Sequence, residues 1–131
     1  MSEKSLLDKL GVKAELQVDV LDLDEGFLTE GLWQRGADVE HRPRRGSDLI
    51  FLGARDREAL AALKVLEKVM SRDGAIWVVY PKGGGAITQN DVREAAAEAG
   101  LVDVKVVGFS QTETALKLVI PLEKRNLSRE S

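Results

Sequence analysis

Two uninterrupted apolar runs constrain this chain more than anything else in it: "LIFLGA" at 49–54 and "AIWVVYP" at 75–81. Neither alternates apolar with polar residues, as a strand with one wet face must. Each is short and bounded by turn residues, the pattern of a strand buried on both faces. Between them, "DREALAALKVLEKVM" sets Leu60, Leu63, Leu66 (or Val65) and Val69 on one helical face, with Glu58, Lys64, Glu67 and Lys68 mostly off it. Strand, amphipathic helix, strand is a βαβ unit. It implies a parallel sheet, a right-handed crossover and helices on the sheet faces.

The other segments extend this frame. "SLLDKLG" predicts a short helix over 6–10, with Ser5 and Asp8 at capping-box spacing and Gly11 as its stop. "AELQVDVLDLD" predicts a strand over 17–23, and "EGFLTEGLWQRG" a helix over 25–35 that stops at Gly36. "ADVEHR" is a short strand candidate. "ITQNDVREAAAEAG" carries a Thr88–Asp91 cap and a Gly100 stop. "VDVKVVGF" and "TALKLVIPL" are separated only by a polar turn, too short for a crossover, so they pair as a hairpin and one of them runs antiparallel. The expectation is a three-layer α/β domain spanning 1–131, with about six strands and frayed ends near 1–4 and 123–131.

Composition narrows the function. The 131 residues are 44% hydrophobic and 31% charged, a globular balance, and the net charge is −3. With 5% aromatic residues, neither a broad basic face nor a stacking platform supports nucleic-acid binding. There is no cysteine, which excludes disulfides, thiolate metal sites and cysteine nucleophiles. No apolar run is long enough to span a bilayer, so we expect a cytoplasmic protein without a membrane partner.

The segments together resemble Rossmann-like, S-adenosylmethionine-dependent methyltransferases. "VLDLDEG" is similar to their first motif, a strand ending in an acidic residue before a glycine-rich loop. "SDLIFLGA" resembles their fourth strand, "LKVLEKVMSRDGAIWVVYP" the helix and fifth strand, "AAAEAGLVDVKVVGF" the sixth, and "TALKLVIPL" the antiparallel seventh. More narrowly, "LLDKLGVK", "DEGF" and "YPKG" resemble a family of short, uncharacterised bacterial proteins, a domain of unknown function with a trimmed version of that fold. The resemblance implies cofactor contacts at Asp22, Gly26 and Glu40. It also puts Asp24 on the first loop glycine and Leu28 on the last, and leaves room between Gly36 and Asp48 for one strand where the full fold has two strands and a helix. A glycine there allows a tight turn and close backbone approach, so Asp24 disfavours the cofactor. The expectation is a non-catalytic binding or interaction domain. A methyltransferase is an alternative.

Other candidates carry two readings each. "DLDEGFL" resembles the opening of haloacid-dehalogenase-like phosphotransferases, which implies Asp22 as nucleophile, Asp24 as acid and Lys82 as cation, but no later acidic pair supplies magnesium ligands. Alternatively, Asp24 caps the helix that follows. Arg42, Arg44 and Arg45 in "HRPRRGSD", with Lys82, Gly83 and Gly84 in "YPKGGGAIT", form a candidate site for an anionic metabolite or nucleotide at the carboxyl edge of the sheet, or else a solvated charge run and a loop. His41, the only histidine, reads as a surface residue. Trp33, Trp77 and Tyr80 read as packing residues. "TALKLVIPL" reads as an edge strand on which a homo-oligomer could form.

Overall fold

The computed structural model describes residues 5–125. Its six-stranded sheet has the order β2-β1-β3-β4-β6-β5, from β1 (Gln17–Leu21), β2 (Asp38–Glu40), β3 (Leu49–Gly53), β4 (Ala75–Pro81), β5 (Val102–Gly108) and β6 (Glu113–Val119). The pairs among β1 to β4 are parallel, and β6 runs antiparallel to both β4 and β5. β3 is buried along its whole length and β4 up to its last residue, as the apolar runs require. Their side chains alternate between two cores. Ile50, Leu52, Ile76 and Val78 pack with Leu60, Leu63 and Leu66 on one face. Phe51, Trp77 and Val79 pack with Leu10, Leu28 and Leu32 on the other.

The helices are α1 (Leu6–Lys9), α2 (Gly26–Gln34), α3 (Ala62–Val69, entered through a 3-10 turn at Arg57–Ala61), α4 (Gln89–Glu98) and α5 (Leu122–Arg125). The Thr88–Asp91 capping box forms at α4, and Ser5 caps α1. α1 lies against α2 at Gly31, where a Cβ would stand 2.7 Å from the end of the Leu7 side chain. α5 occupies the start of the tail expected to fray, and the rest of that expectation, 1–4 and 126–131, lies outside the described residues.

Four sequence expectations are corrected. β1 ends at Leu21, because Asp22 turns into the left-handed region at φ 53°. Asp24 does not cap α2; Glu25 holds that position and makes no side-chain cap. Trp33 is 62% exposed, since α2 turns Leu28 and Leu32 inward and leaves it on the outer face, whereas Trp77 and Tyr80 are core residues as expected. The residues of "TALKLVIPL" lie inside the sheet, because β6 inserts between β4 and β5. The edge on that side is β5, which exposes Val102, Val104 and Val106 and carries an irregularity between Asp103 and Lys105. A bulge and charged residues are common protections of an edge against pairing.

Between β2 and β3, residues 41–48 stand where a longer fold would place a helix and a further strand. This segment is fastened by Arg44. Asp19 is fully buried in β1. Its carboxylate accepts from the Arg44 backbone N–H at 3.0 Å, from Arg44 Nε at 2.8 Å and from Ser47 Oγ at 2.6 Å. The rest of the guanidinium donates to Asp38 Oδ2 and to the carbonyls of Val18 and Asp38. Removing one partner of a buried ion pair typically costs about 3–5 kcal/mol, while replacing both with apolar residues is often neutral. We predict that Arg44→Met lowers stability by about that amount, and that Asp19→Leu with Arg44→Met recovers most of it, as read from urea midpoints.

Candidate functional site

The first crossing of the sheet fixes where a ligand would sit. From β1 the chain turns through α2 toward one edge, and from β3 through α3 toward the other, so the carboxyl ends of β1 and β3 flank a topological switch point. At that point the left-handed turn at Asp22 brings its carbonyl over Gly53, the last residue of β3. A Cβ on Gly53 would lie 2.2 Å from that oxygen, so only glycine fits without a backbone shift. The crevice left between Asp22, Gly53, Val79 and Glu113 measures about 30 Å³. That is room for a water or two. Beside it, over the start of α2, lies an open cleft of about 550 Å³ lined by Val20, Asp22, Asp24, Gly26, His41 and Arg55.

The expected cofactor residues separate. Asp22 and Gly26 both line the open cleft, and Gly26 has open space where a Cβ would project. Glu40 ends β2 and faces Arg42 at 3.7 Å. Asp22 and Asp24, considered as a phosphotransferase pair, line the same cleft with Lys82 absent from its lining. Among the described residues no group of three or more histidines or carboxylates is arranged to hold a metal ion.

The expected anion cluster does not assemble. Arg44, with a side chain 14% exposed, is committed to Asp19 and Asp38. Its segment does not stay at the carboxyl edge but runs back to the amino edge, where Arg45 accepts from Gln17 through its carbonyl and Gly46 donates to Val69. Lys82 follows β4 at the opposite edge, in an exposed loop whose N–H donates to Thr112. Gly83 and Gly84 both have positive φ in that loop, and the helix behind it already spends amides on its own capping box.

What the site does gather is carboxylates. Asp22, Asp24, Glu25 and Glu113 line the small crevice, with Arg55 as the cation among them. Glu113 raises the pKa of Glu25, first by a shared hydrogen bond; partial burial and the charges of Glu113 and Asp24 add to this, and Arg55 opposes it. Tyr80 is not part of this chemistry: burial raises its phenol, and the side chain belongs to the core. Sequence reasoning missed Glu113 and Arg55. The available signal was topological, since an antiparallel strand starts at the edge where its parallel neighbours end, and Glu113 pairs with Pro81.

The family model described as "Protein of unknown function (DUF3052)" matches residues 39–122. The chain belongs to that family. No curated protein matches the sequence. Among solved structures, a SAM-dependent methyltransferase from Aquifex aeolicus superposes with a TM-score of 0.69 at 16% identity, covering 88% of each chain. Magnesium protoporphyrin IX methyltransferase from Synechocystis, with bound SAM, gives 0.67 at 15% identity over 88% of this chain and 74% of that one. The pyocyanin biosynthetic protein PhzM gives 0.68 at 12% identity, and there this chain spans 53% of the longer protein. At such identities the likeness establishes the fold, a methyltransferase-like Rossmann frame, and not an activity.

The facing carboxyls make a pH prediction. A carboxyl whose folded pKa is raised holds its proton longer in the folded state, so its stability contribution falls as pH rises from its usual value through the raised one. Glu113→Gln should return Glu25 toward the usual carboxylate range in an NMR titration. The variant should gain stability relative to wild type across that window and keep the gain at neutral pH.

Proposed function

We propose that this DUF3052 protein is a binding domain built on a methyltransferase frame, which recognises a protein or a small ligand and transfers no methyl group. The observation that carries this reading is the seating of the Asp22 carbonyl on Gly53, with about 30 Å³ left between the ends of β1 and β3. Nucleotide-sized ligands occupy pockets of about 300–1,000 Å³. The loop chemistry points the same way. Asp24 stands at the first glycine position and adds charge where backbone amides would meet the ligand's carboxylate. Asp22, Glu25 and Glu113 add further charge of the same sign. In this reading the loop does not fit S-adenosylmethionine, and the recognition surface is the open acidic cleft over α2.

One observation favours the alternative, a surviving S-adenosylmethionine-dependent methyltransferase: the open cleft is about 550 Å³ and has both Asp22 and Gly26 in its lining. Thermal unfolding with millimolar S-adenosylmethionine or S-adenosylhomocysteine separates the two. A ligand at about one hundred times its Kd stabilises by about 2.7 kcal/mol. In a domain of this size that raises Tm by roughly 5–15 °C. We expect no shift with either compound. A shift of that size, lost in Gly26→Leu, overturns the binding-domain reading in favour of the enzyme.

A further inference from the structure

A second cavity lies at the other end of the sheet, at the amino edge, where no part of the proposed function is placed. It measures about 330 Å³ and lies between the 10–16 loop and the first residues of β3 and β4, with Lys13, Lys117 and Arg125 among its lining. Lys117 stands out. It projects from β6 in register with Trp77 on one side and Lys105 on the other. Its ammonium lies 5.9 Å from the centre of the Trp77 ring. Among the described residues it makes no ion pair and no hydrogen bond, although its neighbours do: Lys105 Nζ donates to the Lys9 carbonyl at 3.2 Å and Trp77 Nε1 to the Leu10 carbonyl at 3.0 Å.

Like charges in register across a ladder are destabilising unless something offsets them. Lys117 and Lys105 are such a pair, and Arg125 lies close enough to add to the repulsion. Burial pushes the Lys117 ammonium down from its usual range, and Lys105 and Arg125 push it further the same way. Two carboxylates, Asp48 and Asp73, also line the cavity, yet neither pairs with its cations. Asp48 instead accepts from the Gln17 N–H at 2.8 Å. Among the described residues none of the three cations lining the cavity forms an ion pair with a carboxylate, and Arg125 Nε donates to the Ile120 carbonyl at 2.7 Å.

We propose that this amino-edge cavity binds a small oxyanion of the phosphate class, held by Lys117 with Lys13 and Arg125, beside the apolar lining of Leu49 and Val119. An oxyanion there relieves the Lys117–Lys105–Arg125 repulsion and accepts charge-assisted hydrogen bonds. The cation–π contact with Trp77 places the Lys117 ammonium at the cavity before an anion arrives.

The test is an NMR titration of the protein with inorganic phosphate, against sodium chloride at matched ionic strength. It follows the Trp77 indole N–H and the Lys117 side-chain resonances. A single saturating isotherm is expected for phosphate and none for chloride. Lys117→Met, which keeps an apolar stem over Trp77, should weaken binding about tenfold or more. Lys13→Gln, at an exposed position, should weaken it by a smaller factor without altering the fold. Lys82→Gln at the opposite edge should leave it unchanged. No saturable shift, an isotherm unchanged in both Lys117→Met and Lys13→Gln, or one lost in Lys82→Gln overturns the proposal.

Discussion

The buried contact between Asp19 and Arg44 makes a shortened sheet workable. A parallel sheet needs both faces covered, and this one has no helix between β2 and β3. The eight residues 41–48 must descend from one edge to the other and cover the β1 end on the way. A loop cannot bury much apolar surface, so the covering is polar. Asp19 turns a carboxylate into the gap, Arg44 fills it, and the guanidinium also satisfies two strand carbonyls. Ser47 and Gln17 continue the network to the start of β3. Every member has a partner, the condition under which a buried polar network stabilises rather than weakens a core.

That economy shapes the ligand edge. Arg44 is withdrawn from the surface, which leaves the carboxyl edge to Asp22, Asp24, Glu25 and Glu113. The shortened connection also leaves an apolar hollow of about 390 Å³ over Leu21, Pro43, Leu52 and Val65, next to the acidic cleft. The edge of the sheet that binds ligands in open α/β folds is thus acidic and partly closed here, while Lys13, Lys117 and Arg125 lie together at the opposite edge. The separation follows from the topology: residues that look adjacent in function when read along the chain, such as Arg45 and Lys82, are sent to different ends of the strands.

Most of the frame was legible in the sequence, because burial on both faces leaves so distinct a mark on β3 and β4 and because the α4 cap is local. The misreadings share a cause. Asp19 occupies the polar phase of "QVDVL", a position at which nothing local marks a buried residue, and its partner lies 25 positions away in Arg44. A run of arginines around a proline reads as an anion site for the same reason. Trp33 fits helical spacing, yet only the third dimension tells which face of α2 meets the sheet. The β5 and β6 segments are equally strand-like, and which of them is inserted beside β4 is a matter of topology rather than composition. At the candidate site, the loss of the first glycine was visible, but the left-handed turn at Asp22 and its closure on Gly53 were not.

In the proposed reading, the Asp22 carbonyl seated on Gly53 closes the end of β1 against the cofactor of the structural neighbours. The most direct measurement is a crystal structure of the protein grown with millimolar S-adenosylhomocysteine. We expect the Asp22 carbonyl still seated on Gly53 and no ordered cofactor between β1 and β3. An adenosyl group bound there, with Glu40 on its ribose and the Asp22–Gly26 loop opened around it, would contradict it.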